Sequence, residues 1–431
     1  MLSEGEGSFN QGWKKHQTMG GTQMNVIKLS VFLLVSTLLL MMAGCIDNPS
    51  NEAASESGNE SETGTEAPEV EEGEEVVNIG YSGPLSGPAA YYGERTLNGL
   101  TMAVEEINDN GGFEVDGQTY KFNVVALDDK YLPNETAANA KRLLQENQTP
   151  IIFSPHSGGI KAMQVFNEKE NFLIGAYTSE PAATEAGNEL TVRIPPSYDG
   201  YLEPFTKYAM ENHGEKLAAL PTASQYGKDW TEALVPYWKE QGGEVVYNSS
   251  IDFSKDTDFF TLVTNALKEE PDVLFIGGPS EPTAKVAKQA RELGFEGGFI
   301  VMDQAKLDEM KSVTGSYEDL EGSVGVTPLI NSDYPGTAEF VEKYKEEHGQ
   351  NPGSEAGYHY VAMYTFMEAM KAAGSVDDPE AIRAHMQEGL DALPEDKQVY
   401  TIEEIGENGG FTTNLRIAAV EDGGVVTINV E

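Results

Sequence analysis

The sequence predicts an α/β protein of two lobes, each a parallel sheet flanked by helices. Short apolar runs alternate with longer segments of helical period, and this alternation indicates parallel strands covered by helices. The series starts near Val76 and begins again near Leu217. Between the two series, Pro195 and Pro196 interrupt regular structure and mark a crossing between lobes. Several such crossings would allow the lobes to close over a ligand on a hinge.

The first series predicts strands at 76–81, 122–127, 151–153 and 172–174. Its first helix is predicted from the i, i+3, i+4, i+7 spacing of Leu100, Ala103, Val104 and Ile107, which makes one buried face. The second series predicts strands at 217–220, 245–247, 273–276 and 299–302.

A second crossing is predicted near Pro328, after which helices around 340–344 and 362–370 return to the first lobe. The last segment, 411–430, is expected to form strands beside the second lobe. The predicted boundaries are 76–196 and 328–409 for lobe 1, and 197–327 and 410–431 for lobe 2.

The N-terminus carries a predicted lipoprotein signal over residues 1–44, with Met19 and Met24 as alternative starts. Lys28 precedes a fifteen-residue apolar run at 29–43, and Cys45 is the single cysteine of the chain. A helix of that length spans only about 22 Å, short of the roughly 30 Å hydrocarbon core, which disfavours the alternative of an uncleaved transmembrane helix. We therefore expect Cys45 to carry a lipid anchor at the outer face of the cell membrane.

Residues 45–75 are predicted to form a disordered acidic tether behind that anchor. Between 46 and 75 the chain has ten Glu, one Asp and no basic residue, so it has little apolar surface to bury and its charges repel one another. The whole chain has 28 basic and 71 acidic residues, a net charge of −43. Because such a surface repels a phosphate backbone, we expect no nucleic-acid partner.

Sequence motifs for catalysis and cofactor binding are absent. There is no Gly-x-Ser-x-Gly elbow, Walker loop or His-Glu-x-x-His, and the six histidines lack metal-ligand spacing. The turn after the first strand contains Gly80, Gly83 and Gly87, whose spacing does not match a dinucleotide site. We expect no enzyme activity, no cofactor and no metal.

Several segments, taken in chain order, carry a family resemblance. They are 78–88 with Tyr92-Gly93 and 103–108, Asp128-Asp129 with Pro133, 225–228, and 289–294. Their order and spacing are similar to those of the branched-chain amino acid binding proteins of ABC importers. The resemblance covers the chain from Val76 onward and implies a type I periplasmic-binding-protein fold, an amino acid ligand and a membrane permease as partner.

The resemblance also implies ligand-binding positions. In the family, hydroxyls after the third and fourth strands take the ligand carboxylate together with helix-start amides, an acidic residue of the second lobe takes the ammonium, and aromatic side chains pack on the ligand. The matching residues here are Tyr92, His156, Ser157, Thr178, Ser179, Tyr226 and Asp303. His156 stands where the family usually has serine, and Pro279 where relatives often have an aromatic side chain, so the substrate stays open.

Each of these positions also has a structural alternative. Ser157 could cap a helix, Tyr92 and Tyr226 could pack between lobes, and Asp303 could be a solvated surface carboxylate. At the level of function, leucine, isoleucine or valine is the first candidate ligand of a monomeric binding protein. Other amino acids, amides, urea and aromatic acids are alternatives because one fold hosts many ligands. Rival functions are a sensory module and a tethered hydrolase.

Overall fold

The computed structural model describes residues 63–65 and 67–430. The strands are β1 Thr63–Gly64, β2 Glu74–Gly83, β3 Phe113–Val115, β4 Gln118–Asp128, β5 Ile151–Ser154, β6 Leu173–Ala176, β7 Thr191–Arg193, β8 Lys216–Pro221, β9 Glu244–Asn248, β10 Val273–Gly277, β11 Gly298–Val301, β12 Ser323–Val326, β13 Ile402–Ile405, β14 Phe411–Thr413, β15 Arg416–Glu421 and β16 Gly424–Asn429. The α-helices are α1 Ala90–Asp109, α2 Pro133–Asn147, α3 Ser157–Gln164, α4 Asn167–Glu170, α5 Ala182–Glu185, α6 Asp199–Asn212, α7 Gln225–Glu240, α8 Phe260–Leu267, α9 Ser280–Glu292, α10 Leu307–Thr314, α11 Thr337–His348, α12 Ser354–Ala373, α13 Pro379–Ala384 and α14 Met386–Asp391.

Two large sheets form the frame of the described chain. The first has the order β1-β4-β2-β5-β6-β7, with β3 also paired to β4. The second has the order β16-β15-β12-β11-β10-β8-β9. Strands β2 and β4 to β7 are parallel in the first sheet, and β8 to β12 in the second. The α/β class that the alternating pattern predicts is therefore confirmed.

Helices cover both faces of each sheet, so central parallel strands such as β5 and β10 are buried along their whole length. In the first lobe, α1 and α12 pack on one face while α2 and α3 pack on the other. Gly99 allows α1 to approach α12 closely, because a Cβ atom there would lie 2.1 Å from the Ala356 carbonyl oxygen. In the second lobe, α6 and α7 cover one face, and α8, α9 and α10 cover the other.

The last part of the chain differs from the prediction at one point. Strand β14 does not join the second sheet but pairs with β13 in a separate two-stranded sheet, and Phe411 packs in the apolar core of the first lobe. The second sheet takes only β15 and β16, which run antiparallel beside β12. The chain therefore returns to the second lobe after Thr413; the other predicted lobe boundaries stay predictions.

The N-terminal acidic segment also differs from its prediction. Thr63 and Gly64 pair antiparallel with β4, and the Thr65 amide donates to the Val124 carbonyl oxygen at 3.2 Å. The free edge of β4 offers backbone hydrogen bonds to any extended segment, whatever its side chains. The predicted tether thus ends earlier than residue 75, and β2 begins at Glu74.

The predicted signal at 1–44, the anchor at Cys45 and the tether up to residue 62 lie outside the described residues. Within 63–65 and 67–430, no helix combines the length and the apolar content that crossing a membrane requires.

Candidate ligand-binding site

The structure brings all seven predicted residues to one narrow space between the lobes, here called the inner cavity. It measures about 20 Å³. Its predicted members are Tyr92, His156, Ser157, Thr178, Ser179, Tyr226 and Asp303, and Tyr131, Tyr177 and Gln304 also contribute to its wall. They converge because most of them follow the carboxyl ends of parallel strands, where open α/β sheets bind ligands. That these residues bind a ligand stays a prediction.

The first-lobe wall presents hydroxyl groups beside the start of α3. Ser157 Oγ and Thr178 Oγ1 are 2.6 Å apart, and Thr178 Oγ1 accepts a hydrogen bond from the Glu180 amide at 3.2 Å. Ser179 Oγ is buried and has no partner among the described residues. The first amides of a helix lack intrahelical acceptors and favour an anion. This wall can therefore take a carboxylate without a buried cation.

His156 lines the inner cavity, but its polar atoms serve the fold. Its Nδ1 accepts from the Gly159 amide at 3.0 Å, which makes it the cap of α3, and its Nε2 lies 2.9 Å from Asp129 Oδ2. This pattern assigns the ring proton to Nε2, so both nitrogens are occupied. The capping role proposed as an alternative for Ser157 thus belongs to His156, which offers a ligand only its ring.

The second-lobe wall holds one carboxylate in a fixed position. Asp303 Oδ1 accepts from the Tyr226 hydroxyl at 2.5 Å and from Trp230 Nε1 at 2.8 Å. The Gln304 amide in turn donates to the Tyr226 hydroxyl at 3.1 Å. Oδ2 receives no hydrogen bond from the described residues, so one oxygen of an oriented carboxylate remains for a cation. Tyr226 acts here by positioning Asp303, and Trp230 is a partner that the sequence pattern placed only in the helix core.

Tyr131 is a wall residue of the inner cavity that the sequence did not predict. It follows β4, and both Lys130 (φ 54°) and Tyr131 (φ 65°) adopt the left-handed conformation, which strains non-glycine residues. The ring stacks on His156 with centroids 4.7 Å apart, and its hydroxyl accepts from Gln304 Nε2 of the second lobe at 3.2 Å. The Asp128-Asp129 segment pointed to this loop, but nothing in the sequence indicated the unusual backbone that brings Tyr131 to the cleft.

A larger space, here called the outer chamber, opens beside the inner cavity and measures about 420 Å³. Its first-lobe walls come from 86–89, 130–133 and 156–158, and its second-lobe walls from 222–226, 251–254 and the start of α9. The two spaces share Tyr131, His156, Ser157 and Tyr226, so they are adjoining parts of one cleft.

Charged side chains join the lobes beside the inner cavity. Lys161 on α3 contacts Glu180 at 2.6 Å in its own lobe and Asp229 on α7 of the second lobe at 2.9 Å. Burial, together with the adjacent Asp229, raises the pKa of Glu180 to about 7 despite the opposing effect of Lys161. The contact between lobes therefore includes a carboxyl group that titrates near neutral pH.

A second ionic cluster across the lobes lies behind Asp303. Arg95 on α1 contacts Glu355 on α12 at 2.7 Å and Glu309 on α10 of the second lobe at 2.9 Å. Burial and the Glu355 carboxylate raise the pKa of Glu309 to about 8. Burial also opposes the ionisation of Glu355, but Arg95 and Lys306 lower its pKa. Lys306 donates to the Asp303 carbonyl oxygen, which links this cluster to the backbone of the candidate site.

Raising the pH from about 5 to about 8 is expected to lower the melting temperature partly through Glu180. Its pKa in the folded protein, about 7, is above the usual 4.5. The folding stability that protonated Glu180 contributes is therefore fully present below pH 4.5 and is lost as the pH rises through 7. In Glu180→Gln, the melting temperature should depend less on pH between about 5 and 8. Glu292→Gln, at an exposed carboxylate on α9, is the control, and an unchanged slope in Glu180→Gln would contradict the assignment.

Known proteins share both sequence and fold with this chain. A family model described as periplasmic binding protein matches residues 76–424. The Leu/Ile/Val-binding protein homolog 1 of Brucella suis is 26% identical over 316 residues, covering 73% of this chain and 83% of that protein. A leucine-binding protein from Thermotoga maritima has a TM-score of 0.70 at 24% identity, covering 82% of this chain and 99% of that one. An ABC transporter solute-binding protein from Rhodopseudomonas palustris, solved in complex with 3,4-dihydroxybenzoic acid, also has a TM-score of 0.70, at 22% identity over 82% of this chain and 96% of that one.

The matched structures confirm the two-lobed type I periplasmic-binding fold that the resemblance implied. The family match covers most of the chain, from the second strand to the last hairpin. On this evidence, the chain belongs to the periplasmic binding protein family.

Proposed function

We propose that this protein is the extracytoplasmic, lipid-anchored solute-binding component of an ABC import system. It would hold a branched-chain or related amino acid between its lobes and present it, as a monomer, to a membrane permease. The observation that carries this proposal is the pairing of two unlike walls across one cleft. Hydroxyls and helix-start amides stand on the first lobe, and an oriented carboxylate stands on the second.

The two charged groups of an amino acid complement the polar groups on these two walls. Its carboxylate would accept from Ser157, Thr178, Ser179 and the first amides of α3, while its ammonium would donate to Asp303 Oδ2. Both charges would then be buried with partners, which a desolvated zwitterion requires. At about 20 Å³ the inner cavity holds about one water molecule, so the lobes would have to move apart to admit the amino acid head. The names of the similar proteins support an amino acid, and the aromatic acid bound to one structural neighbour supports testing other carboxylates.

The test is ligand-dependent stabilisation of the purified full chain in detergent. We would melt the protein with each of the common amino acids and with small amides and carboxylates. A ligand at about 100 times its dissociation constant should add about 2.7 kcal/mol to the free energy of unfolding, a readily measured increase in melting temperature. Stabilisation by amino acids supports the proposal, and stabilisation by none of them would overturn the amino acid assignment.

Replacing Cys45 with serine is expected to release the protein from the membrane, because serine cannot carry a thioether-linked lipid. Fractionation of cells producing Cys45→Ser should find the chain in soluble extracytoplasmic fractions, with ligand-induced stabilisation unchanged. Ser36→Ala, within the same segment but away from the thiol, is the control and should stay membrane-bound. Retention of Cys45→Ser in membranes would instead favour an uncleaved helix.

A further inference from the structure

The outer chamber differs from the inner cavity in size and in chemistry. At about 420 Å³ it far exceeds the roughly 150 Å³ that holds a benzene molecule in an apolar protein cavity. A leucine side chain would leave most of this space without protein contacts, and unfilled space forfeits dispersion attraction. The chamber therefore suits a group larger than a branched aliphatic side chain.

Apolar atoms form most of the surface of the outer chamber. Pro88, Ala89, Ile251, Pro279 and Pro282 contribute apolar surface, and the last three are buried. Pro279 precedes α9 and presents only its small ring, so no aromatic side chain of α9 reduces the chamber at this point.

Four rings line the same space: Tyr131, His156, Tyr226 and Phe253. The polar atoms of the first three already have partners within the protein. Tyr131 contacts Gln304, His156 contacts Asp129 and Gly159, and Tyr226 contacts Asp303. Phe253 packs against the backbone of Gly278, where a Cβ atom would lie 2.6 Å from the ring. The rings are thus held in place and offer a ligand mainly faces and edges, which is the surface that a further aromatic ring contacts best.

We propose that the ligand of this protein carries an aromatic side group, which occupies the outer chamber while its amino acid head lies in the inner cavity. This inference rests on the proposed function, because it assumes an amino acid head between Ser157 and Asp303. The walls shared by the two spaces place the chamber within one side chain's reach of that head. Pro279 is then a specificity-determining residue, since its small ring leaves the chamber open.

The experiment compares L-phenylalanine with L-leucine by titration calorimetry on the full chain in detergent. We expect phenylalanine to bind at least about tenfold more tightly, as one or two favourable ring contacts would provide. Pro279→Tyr, which narrows the chamber, should remove most of that preference by weakening phenylalanine binding more than leucine binding. Pro279→Ala is the matched control and should keep the preference, because it also removes proline but leaves the chamber open.

Each outcome decides the inference. Tighter phenylalanine binding that is lost only in Pro279→Tyr supports it. Leucine binding as tight as phenylalanine in the unmodified chain overturns it and leaves the proposed function standing. Binding of neither amino acid overturns the inference, and the proposed function is then decided separately by the melting panel of all common amino acids. The comparison in the unmodified chain decides the question even where Pro279→Tyr fails to fold, which melting without ligand would reveal.

Discussion

Asp303→Asn is expected to weaken amino acid binding by at least about 30-fold, because removing one partner of a buried, hydrogen-bonded charge pair costs about 2–5 kcal/mol. Asparagine can still accept from Tyr226 and Trp230 through Oδ1, so the side chain should keep its orientation. Its amide group would then replace Oδ2 and turn a donor toward the ligand ammonium. The affinity should therefore fall much more than the melting temperature, as measured by calorimetry and thermal melting of the same preparation.

Asp422→Asn is the matched control for this change. It removes the same charge from the second lobe at the turn between β15 and β16, and asparagine tolerates the left-handed backbone found there (φ 51°). Ligand affinity should be unchanged in this variant. An Asp303→Asn protein that binds its ligand as tightly as the unmodified chain would show that Asp303 does not take the ammonium.

Arg95→Met is expected to destabilise the protein by about 3–5 kcal/mol, the usual cost of removing one member of a buried ion pair. Arg95 is 1% exposed, and its loss would leave Glu355, also 1% exposed, facing only Lys306 at 4.0 Å. Methionine preserves much of the apolar stem, so the effect should come from the charge and from the lost hydrogen bonds to Tyr91 and Asn351. The change should appear in the midpoint of denaturant unfolding.

An exposed ion pair on α9 provides the control for Arg95→Met. Lys285 contacts Glu281 at 2.7 Å, with the two side chains 47% and 49% exposed, and such pairs contribute about 0–1 kcal/mol. Lys285→Met should therefore move the unfolding midpoint little. Adding Glu309→Gln and Glu355→Gln to Arg95→Met should recover part of the loss, because neutral amides remove the unpaired buried carboxyls. Equal effects of Arg95→Met and Lys285→Met would contradict a structural role for the cluster.

The sequence predicted which residues line the inner cavity better than it predicted their contacts. Asp303, Thr178 and Ser179 were placed there because they follow strands whose apolar runs are easily recognised. The role of His156 depends on Asp129, 27 residues earlier, and on the Gly159 amide. No pattern within one strand or helix indicates such a pair, so the sequence did not predict that His156 caps α3 with both ring nitrogens occupied.

Local pattern determined the order and class of the elements. Strands such as β5 and β10 must be apolar along their length because helices cover both faces, and α1 must repeat its apolar residues at helical spacing. The same pattern located the strand ends where parallel sheets bind ligands.

The tertiary structure alone decided what the lobes bring together. Arg95 and Glu309 are 214 positions apart, Tyr131 reaches Gln304 of the other lobe from a strained backbone, and Thr63 pairs with the edge of β4. These features depend on closure of one lobe against the other or on a free backbone edge. Hydrophobic periodicity indicates which face of a helix or strand is buried. It does not indicate which residues from distant parts of the sequence pack against that face.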